Sequence, residues 1–522
     1  MTQTGMTENA AGRLVPRQVN GRESAPFAGV GRTPPTGQQA AAAIRSRDAY
    51  PANGDKVNRD GLRAALQRAG LRRGMTLSTH HHLRNGDFVA NQVMAAAAEL
   101  GVKDLVWFPS ASFPCHAPMI RQIEAGVLHH IEGSMNGPLG EYASAGKMPG
   151  LGVLRSHGGR WQAIQDGEVH IDIAVIAAPA ADSFGNACGV RGPSAFGGLG
   201  FALADSLWAD HVIVVTDNLE PFPCVPWQIQ GNHVDQVVVV DRIGDPSKIV
   251  SGTTQITRSP DRLLIAEYTA RFIRDAGILK DGFSFQAGAG GIALAFVSYL
   301  KDMMRAAGVK ARFVRGGSTK VLVELLEEGL TDYILDGQTF DLEGVRSLRE
   351  NPRHVATSPF TSYNDHGKGN FASMVDVTVL GATEVDVNFN ANVVTHSDGK
   401  LLHGIGGWQN CLYAGCTILA LPAFRDRLPV LVDRVTTLVG PGELIDVVVT
   451  ERGIAVNPRR QDLLEALARN GSKLPLRTLD EMRNEVERLC GGKPALPRLG
   501  DRPVAVVKWV DGTVLDTAWQ VL

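Results

Sequence analysis

The sequence predicts an α/β protein in which two related domains follow one another, each built on a mainly parallel sheet. The first observation is an internal repeat: the segments that begin at Gly74 and at Gly282 both run as strand, loop, long apolar helix, Gly-Val-Lys turn and strand. The second is a gapless match of residues 170–186 with residues 374–390. Because both matches fall in the same order, a duplicated unit explains them better than the general likeness of α/β segments.

The third observation is the composition of the expected strands. Segments such as IAVIAA, VIVV and VVVV are apolar at every position, which is typical of parallel strands that are buried on both faces. Two further strands are expected after the matched segment in each half. They are predicted at 211–217 and 236–241 in the first half and at 428–433 and 445–451 in the second.

Shorter segments flank the two domains. Residues 1–58 are rich in Gly, Pro, Ala and Gln and have no sustained period, which predicts a mobile, partly disordered or surface-wrapping arm. We place the first domain at 59–257 and the second at 258–465. Residues 466–522 predict a C-terminal extension of a helix and a hairpin, with a turn at Asp511-Gly512.

The composition excludes several classes of protein. The 522 residues carry 52 Lys and Arg against 54 Asp and Glu, a formal charge of −2, so we expect no nucleic acid partner. No apolar run approaches the roughly 18 residues of a membrane span, and the N-terminus lacks the pattern of a signal peptide. Six cysteines without a CxxC pair indicate reduced thiols in a cytoplasmic protein and no zinc site.

Cationic side chains crowd the loop after the first strand of the first half. This histidine loop (80–87) reads HHHLRNGD and precedes a helix. Guanidinium groups bind carboxylates, and helix N-termini favour anions, so we interpret the loop as a clamp for a small polycarboxylate, aided by Arg155, His157 and Arg160. A metal site and a purely structural role are the alternatives. On a strand, at most the first and third histidines would converge.

The equivalent loop of the second half is rich in glycine. This QAGAGG loop (286–291) lies between a strand and a helix, where glycine lets backbone N–H groups approach a phosphate. Gly288, Gly290 and Ala293 also fit a G-x-G-x-x-A dinucleotide fingerprint. The next strand ends at Arg315 without an acid for a ribose, so only an NADP-type arginine would support that alternative.

A third loop, the HGIGG loop (403–407), follows the matched segment of the second half. Its N–H groups would form an oxyanion hole for a tetrahedral adduct, and the alternative is an ordinary tight turn. Glu384 ends a buried strand and is the better acid for the site, whereas Glu324 fits a solvated helix face. No Ser/His/Asp or Cys/His arrangement is recognisable, and Cys411 and Cys416 fit the core.

These motifs, in this order, resemble the citrate lyase alpha subunit family. The resemblance spans about 70–460 and rests on HHHLRNGD, RSHGGR, HIDIAVIAAP, SGTTQIT, DGFSFQAGAGG, LLEEGL, GATEVDVNFNANV and VVVTERGIAVNP. It implies a fold of two CoA-transferase-like domains. It also implies an activity, in which citrate displaces acetate from an acetyl thioester on an acyl carrier subunit and a citryl thioester is formed.

The resemblance further implies partners. Citrate would be the small-molecule partner. A gamma subunit would carry the thioester on an arm derived from dephospho-CoA, for which CoA can substitute, and a beta subunit would cleave the citryl group. A homo-oligomer is expected, without a permanently bound cofactor, a metal ion, nucleic acid or a membrane.

Roles for individual residues follow from the same resemblance. The residues expected to bind citrate are His80, His81, His82, Arg84, Asn85, Arg155 and His157. Those expected to contact the thioester arm are Gly288, Ala289, Gly290, Gly291, Ile292, His403 and Gly404. Those expected to act in catalysis are Gly406, Gly407 and Glu384.

One acid separates this family from the wider CoA-transferase superfamily. Enzymes of the superfamily form a thioester on a glutamate, which an alignment through EEGL places at Glu324. Citrate lyase-type transferases resemble them but work through a ternary complex, so we do not assign Glu324 as a nucleophile. The alternative functions are a citramalate-specific or other CoA-transferase or hydrolase with a glutamyl thioester, an NADP-dependent oxidoreductase, and a non-catalytic scaffold.

Overall fold

The structure is a computed structural model of the chain and describes residues 5–35, 53–249 and 255–522. Residues 36–52, in the predicted N-terminal arm, and residues 250–254, near the predicted domain boundary, lie outside the described residues. Within the described ranges, no helix has the length and apolar character needed to cross a membrane.

Strands and helices alternate along most of the described chain. The strands are β1 (Met6–Glu8), β2 (Leu14–Pro16), β3 (Gln18–Val19), β4 (Arg22–Glu23), β5 (Thr76–Thr79), β6 (Leu105–Pro109), β7 (Leu128–Ile131), β8 (Gly152–Leu154), β9 (Ile173–Ala178), β10 (Ala180–Asp182), β11 (Ala187–Cys188), β12 (His211–Thr216), β13 (Leu219–Glu220), β14 (Gln236–Val239), β15 (Ser284–Ala287), β16 (Phe313–Ser318), β17 (Ile334–Thr339), β18 (His354–Ala356), β19 (Val377–Leu380), β20 (Glu384–Asp386), β21 (Ala391–Asn392), β22 (Thr417–Ala420), β23 (Phe424–Arg425), β24 (Leu428–Pro429), β25 (Leu431–Val432), β26 (Val447–Thr450), β27 (Gly453–Val456), β28 (Leu499–Lys508) and β29 (Val514–Val521). The α-helices are α1 (Gly61–Arg68), α2 (Val89–Glu99), α3 (Met119–Glu124), α4 (Pro138–Ser144), α5 (His157–Gln165), α6 (Leu203–Trp208), α7 (Pro260–Asp275), α8 (Gly291–Ala307), α9 (Lys320–Glu327), α10 (Leu342–Glu350), α11 (Pro359–Tyr363), α12 (Trp408–Cys411), α13 (Gln461–Arg469) and α14 (Leu479–Cys490).

A parallel sheet forms the centre of each half. In the first half, six strands pair in parallel in the order β14-β12-β9-β5-β6-β7. In the second, eight strands have the order β18-β17-β16-β15-β19-β22-β26-β27, and β27 is antiparallel to β26. Both sheets are buried against helices, as their uniformly apolar strands require. The predicted α/β class with mainly parallel sheets is confirmed.

The internal repeat is visible as repeated hydrogen bonding. Each half has a small sheet, β11-β10-β13 in the first and β21-β20-β25 in the second. Asn186 donates from Nδ2 to Asp182 (2.9 Å) and accepts a glycine N–H at Oδ1 (2.9 Å). Asn390 makes the same contacts with Asp386 (3.1 Å) and with another glycine N–H (2.9 Å). These matched identities therefore stabilise the fold.

A second pair of matched aspartates fixes the strands that lead to the predicted site. Asp172 accepts the N–H of Thr76 at the start of β5 (2.7 Å), and Asp376 accepts the N–H of Ser284 at the start of β15 (2.7 Å). The histidine loop follows β5 and the QAGAGG loop includes the end of β15. The repeat therefore positions both loops in the same way.

One predicted strand of the second half is divided in two. Residues 428–433, expected as a single strand, form β24 and β25, and β25 pairs with β20 in a small sheet. In the large sheet, β22 lies between β19 and β26. Pro429 lacks the N–H that a central strand needs, and β22 is too short for its apolar run to stand out in the sequence.

The described parts of the two chain ends pack together. β28 and β29 form the predicted hairpin, and β28 also pairs in parallel with β8. Residues 5–35 form the short pairs β1–β2 and β3–β4. Asn9 donates from Nδ2 to the carbonyl of Leu515 (2.8 Å), and the rings of Phe27 and Trp509 meet edge to face with centroids 6.0 Å apart.

Replacing Asp182 with alanine is expected to lower the free energy of unfolding by about 3 kcal/mol. The buried carboxylate accepts the N–H groups of Phe184, Asn186 and Cys224 as well as the amide side chain of Asn186, and its removal leaves these donors unpaired. Urea unfolding measures the loss. The control is Asp302→Ala, because the side chain of Asp302 is 74% exposed, and an equal loss in both variants would contradict the prediction.

Candidate active site

A cavity of about 540 Å³ is lined by residues of both halves. The residues that line it from the first half include His81, Arg84, Ser110, Phe113, Glu132, Arg155, His157 and Arg160. Those from the second half are Ala289, Phe340, His403, Gly404, Ile405 and Gly406. The histidine, QAGAGG and HGIGG loops, which the sequence places far apart along the chain, therefore each reach one cavity.

The start of α5 joins the two halves at this cavity. Ser156 caps the helix by accepting an N–H of the first turn at Oγ (2.9 Å). The N–H of His157 donates to the carbonyl of Gly406 (2.8 Å), and the N–H of Gly158 donates to Oδ1 of Asn410 (3.2 Å). Because two of these acceptors belong to the second half, the helix start and the HGIGG loop are held in register.

The first and third histidines of the histidine loop do not reach the cavity. Nε2 of His80 lies 3.0 Å from Asp205 in the core, and the ring of His82 stacks on Phe196 with centroids 5.0 Å apart. Burial lowers the pKa of His82 well below its ordinary value. Both side chains were expected to bind citrate, but each is buried against a residue distant in sequence. The three histidine rings also do not converge on one point, as a metal site would require.

His81 lines the cavity and contacts both halves. Its Nδ1 lies 2.6 Å from Oγ of Ser110, and its Nε2 lies 2.9 Å from Oε1 of Gln338 in β17. The amide oxygen accepts, so Nε2 carries the proton. Burial, reinforced by the neighbouring ring of His157, lowers the pKa of His81 well below its ordinary value. Burial also lowers the pKa of His157 to about 3, so both rings are neutral at pH 7.

Arg84 is the cation of the histidine loop that faces the cavity. Its backbone has a left-handed φ of 51°, and its guanidinium lies 4.5 Å from the ring centre of Phe340 and 5.5 Å from that of Phe113. Burial lowers the pKa of Arg84 to about 10, so the group stays charged at neutral pH. A guanidinium that lies against aromatic rings is well placed to bind a carboxylate.

The other two arginines of the cavity are paired with carboxylates. Arg155 donates to Glu132 (2.6 Å) and to Glu168 (2.8 Å). Burial alone would raise the pKa of Glu168, but Arg155, with a lysine, lowers it to about 2. Arg160 binds both oxygens of Asp205, each at 2.7 Å. These two cations are therefore already paired with carboxylates of the protein.

The HGIGG loop lines the cavity with residues 403–406. Within the described chain, the backbone N–H groups of residues 404–407 have no hydrogen-bond acceptor. Gly406 has a φ of 63°, which strains a residue with a Cβ. Gly407 is required for another reason, because a Cβ there would lie 2.7 Å from Cζ of Tyr363. The loop can therefore offer peptide nitrogens to an oxyanion.

The QAGAGG loop touches the cavity through one residue. Ala289 lines it, while Gly288 donates its N–H to the carbonyl of Val379 (3.3 Å). Gly290 is the N-cap residue of α8 and Gly291 is its first residue, and no side chain caps this N-terminus. Ile292 packs against the core of the second half.

Three further predicted residues lie outside the cavity. Asn85 accepts the N–H of Cys115 at Oδ1 (3.0 Å) and so braces the histidine loop. Glu384 is buried in β20, where it accepts the N–H of Thr436 (2.8 Å). Glu324 forms an ion pair with Lys301 (2.9 Å) on a partly exposed face of α9, as the solvated-face interpretation predicts. Neither glutamate is placed to act on a substrate in the cavity.

Sequence reasoning missed Glu132 and Gln338. Glu132 directly follows β7, its side chain is 1% exposed, and it pairs with Arg155 and with Arg22 of the N-terminal arm. Gln338 lies near the end of β17. Their position at the carboxyl ends of parallel strands could have identified both residues as candidates, because ligands bind beyond these strand ends. Residue type and spacing alone do not distinguish them from other polar residues.

The family model for citrate lyase, alpha subunit (CitF), matches residues 55–521. The chain belongs to this family. Citrate lyase alpha chains of Klebsiella pneumoniae and Escherichia coli (strain K12) are 43% and 41% identical to it over 465 and 462 residues. These alignments cover 88% of this chain and 91% and 90% of the two relatives. The resemblance seen in the motifs is confirmed.

Solved structures agree in fold. A crystal structure described as the alpha subunit of citrate lyase in complex with citrate, from Streptococcus mutans, has a TM-score of 0.93 at 38% identity and covers 99% of this chain and 100% of its own. The alpha subunit of a malonate decarboxylase from Acinetobacter baumannii has a TM-score of 0.61 at 16% identity, over 82% of this chain and 87% of its own. The predicted CoA-transferase-like fold is confirmed.

The activity predicted from the motifs is that of a citrate lyase alpha subunit. The chain is an enzyme of the transferase class, and exchange of citrate for acetate on an acetyl thioester is its main function. The NADP-dependent alternative depends on Arg315, which has no exposed surface and so does not reach a nucleotide phosphate.

Stability is expected to fall at high pH through His116, which supports the end of the histidine loop. Burial opposes a charge on His116, but its Nε2 lies 2.9 Å from Asp87, and this carboxylate raises the pKa to about 9. Because the unfolded value is near 6.5, the stabilisation is complete below about pH 6.5 and is lost as the pH rises through about 9. The difference in unfolding free energy between wild type and His116→Gln should therefore narrow by about 3 kcal/mol between about pH 6 and pH 10.

Urea unfolding at a series of pH values measures this difference. His170→Gln serves as the control, because the side chain of His170 is 63% exposed in its pair with Asp210. Parallel pH curves for wild type and His116→Gln would contradict the assignment.

Proposed function

We propose that the cavity binds citrate on the side of the histidine loop and the acetyl thioester on the side of the HGIGG loop. One observation carries this proposal: Arg84 and residues 404–406, whose N–H groups have no acceptor among the described residues, line the same cavity. The guanidinium suits a carboxylate, and the peptide nitrogens suit an oxyanion. The citrate bound in the Streptococcus mutans structure supports the choice of ligand.

The neutral histidines complete the citrate side. His81 and His157 stack with ring centroids 5.6 Å apart, and both are neutral at pH 7 by virtue of their burial. They would order the carboxylates and hydroxyl of citrate by shape and hydrogen bonding, with Arg84 supplying the charge. Arg155, already paired with two glutamates, would shape the wall and contribute less to affinity.

The exchange requires proximity and stabilisation of charge. A carboxylate oxygen of citrate attacks the acetyl carbonyl carbon, and the HGIGG N–H groups would hold the oxyanion of the adduct. The C–S bond breaks, releasing a thiolate and leaving a mixed anhydride of citrate and acetate. The thiolate attacks the citryl carbonyl of this anhydride, acetate leaves, and the citryl thioester is formed. Holding the citrate carboxylate in line with the thioester carbonyl lowers the entropic part of the barrier.

A direct transfer fits the acids of the cavity better than a glutamyl thioester. Among the described residues, Glu132 is the carboxylate that lines the cavity, and it is engaged by Arg22 and Arg155. A carboxylate neutralised in this way is a weak nucleophile. Glu324 and Glu384 lie outside the cavity. A ternary complex of citrate, thioester and enzyme is therefore the mechanism we favour.

Family membership supports a role within a multi-subunit lyase. We propose that the acyl carrier (gamma) subunit presents the thioester on an arm derived from dephospho-CoA, that CoA can replace it, and that a beta subunit cleaves the citryl product. The arm is a substrate, and it would pass Ala289, His403 and Gly404. The six cysteines are unpaired, which supports a reducing, cytoplasmic location. A homo-oligomer stays a prediction.

The purified chain is expected to release acetate from acetyl-CoA when citrate is added and not when water is the acceptor, because the reaction needs a carboxylate nucleophile. Radiolabelled acetyl-CoA and separation of free acetate measure the rate. Release with water at the rate seen with citrate would identify a hydrolase instead. Faster release with citramalate than with citrate would identify a citramalate-specific transferase.

Arg84→Ala is expected to raise the KM for citrate about 10- to 100-fold, in line with the loss of a charge-assisted hydrogen bond. The KM for acetyl-CoA should stay within about twofold, because the thioester binds on the opposite wall. Glu324→Gln is the control and should retain wild-type rates. Equal increases in both KM values would contradict the two-sided site, and loss of activity in Glu324→Gln with inactivation by borohydride after acetyl-CoA would indicate a glutamyl thioester.

A further inference from the structure

Arg315 is a buried arginine that the mechanism above does not use. It lies in β16 and has no exposed surface. Its Nη1 donates to Oε1 of Gln286 (2.5 Å), whereas Nε and Nη2 meet no acceptor within the described chain. None of the described carboxylates forms an ion pair with it. Burial of a charge without a counter-charge lowers stability, so this position indicates a role other than folding.

The guanidinium contacts two side chains that lie in or against the glycine-containing loops, Gln286 and Tyr363. Gln286, which it holds, is the first residue of the QAGAGG loop and donates from Nε2 to Sγ of Cys411 (2.8 Å) in α12, directly after the HGIGG loop. Cζ of Arg315 lies 4.6 Å from the ring centre of Tyr363. That ring packs against Gly407, where a Cβ would lie 2.7 Å from its Cζ. One aromatic ring therefore separates the charge from the HGIGG loop.

The groups around Arg315 do not neutralise it. Burial raises the pKa of the Cys411 thiol to about 11, and burial likewise raises the pKa of Tyr363, so neither is an anion at pH 7. Asp365 follows Tyr363 by two positions, but its Oδ2 accepts the amide of Asn410 (2.7 Å). The positive charge of Arg315 is therefore available to act on the cavity side of the ring.

We propose that Arg315 is a positioning residue for the transfer, whose charge stabilises the oxyanion formed at the HGIGG loop by acting across the ring of Tyr363. This inference rests on the function proposed for that loop. In a buried environment such a charge is weakly screened. In general, two unit charges about 10 Å apart at an effective dielectric constant of about 20 interact strongly enough to change a rate about 10- to 20-fold.

Arg315→Met tests the inference, because it keeps an apolar stem of similar length and removes the charge. We expect kcat for citrate-dependent acetate release to fall about 10- to 20-fold, with the KM for citrate within about twofold. The midpoint of urea unfolding should stay the same or rise, since an uncompensated buried charge is removed. Arg315→Lys restores a charge at nearly the same place and should recover most of kcat.

A purely structural arginine predicts the opposite pattern. A lower unfolding midpoint or failure to fold in Arg315→Met, an unchanged kcat, or an equal loss of kcat in Arg315→Lys and Arg315→Met would each overturn the inference. Wild type is measured in the same assay. Absence of citrate-dependent acetate release in wild type would overturn the proposed function itself, whereas full activity in Arg315→Met would overturn the role of Arg315 alone.

Discussion

The N-terminus of α5 meets the HGIGG loop, and the candidate site depends on this contact. The hydrogen bonds from His157 to Gly406 and from Gly158 to Asn410 join the half that carries the cations to the half that carries the peptide donors. The same contact directs the positive end of a helix toward the cavity and places the His157 ring beside that of His81. Neither half holds the complete set of groups by itself.

The charge of the cavity is arranged before a ligand binds. Arg155 and Arg160 are each bound to carboxylates, so they order the wall rather than attract an anion. Buried pairs of this kind add little net stability, but they hold side chains in one geometry. In the proposed site, Arg84, backbone N–H groups and neutral imidazoles would bind the polyanion, a combination that would select shape together with charge.

Much of the fold could be predicted from the sequence because the duplication repeats hydrogen bonds as well as apolar pattern. Asp182 and Asp386 each accept a hydrogen bond from the side-chain amide of a matched asparagine. The same residues therefore appear at matched positions because they form the same hydrogen bonds. β22 was not predicted because it has only four residues, of which three are apolar, and so short a run does not stand out in the sequence. β22 can be recognised as a strand of the large sheet only when its parallel neighbours, β19 and β26, are known.

The candidate site was predictable at the level of loops and less so at the level of side chains. Parallel strands bring their carboxyl ends to one edge, so the loops carrying His81, Arg84 and Gly406 were expected to be functional. Which way each side chain turns depends on residues distant in sequence, as Asp205 shows for His80. Glu384, expected to end a buried strand, is instead the first residue of β20 and accepts a backbone N–H there. The sequence alone does not show whether such a buried glutamate faces a cavity or a neighbouring backbone.

Arg22 contributes to the cavity wall although it lies outside the residues that the family model matches. It lies upstream of residue 55, where the family match begins, yet it reaches Glu132 in the cavity wall. Together with Arg155 it balances the negative charge of that glutamate, which would oppose the binding of a tricarboxylate in the proposed site. A shortened protein that keeps only the matched residues 55–521 would therefore retain every loop of the proposed site. It would lose the positive charge of Arg22 beside Glu132, and the cavity wall would be more negative.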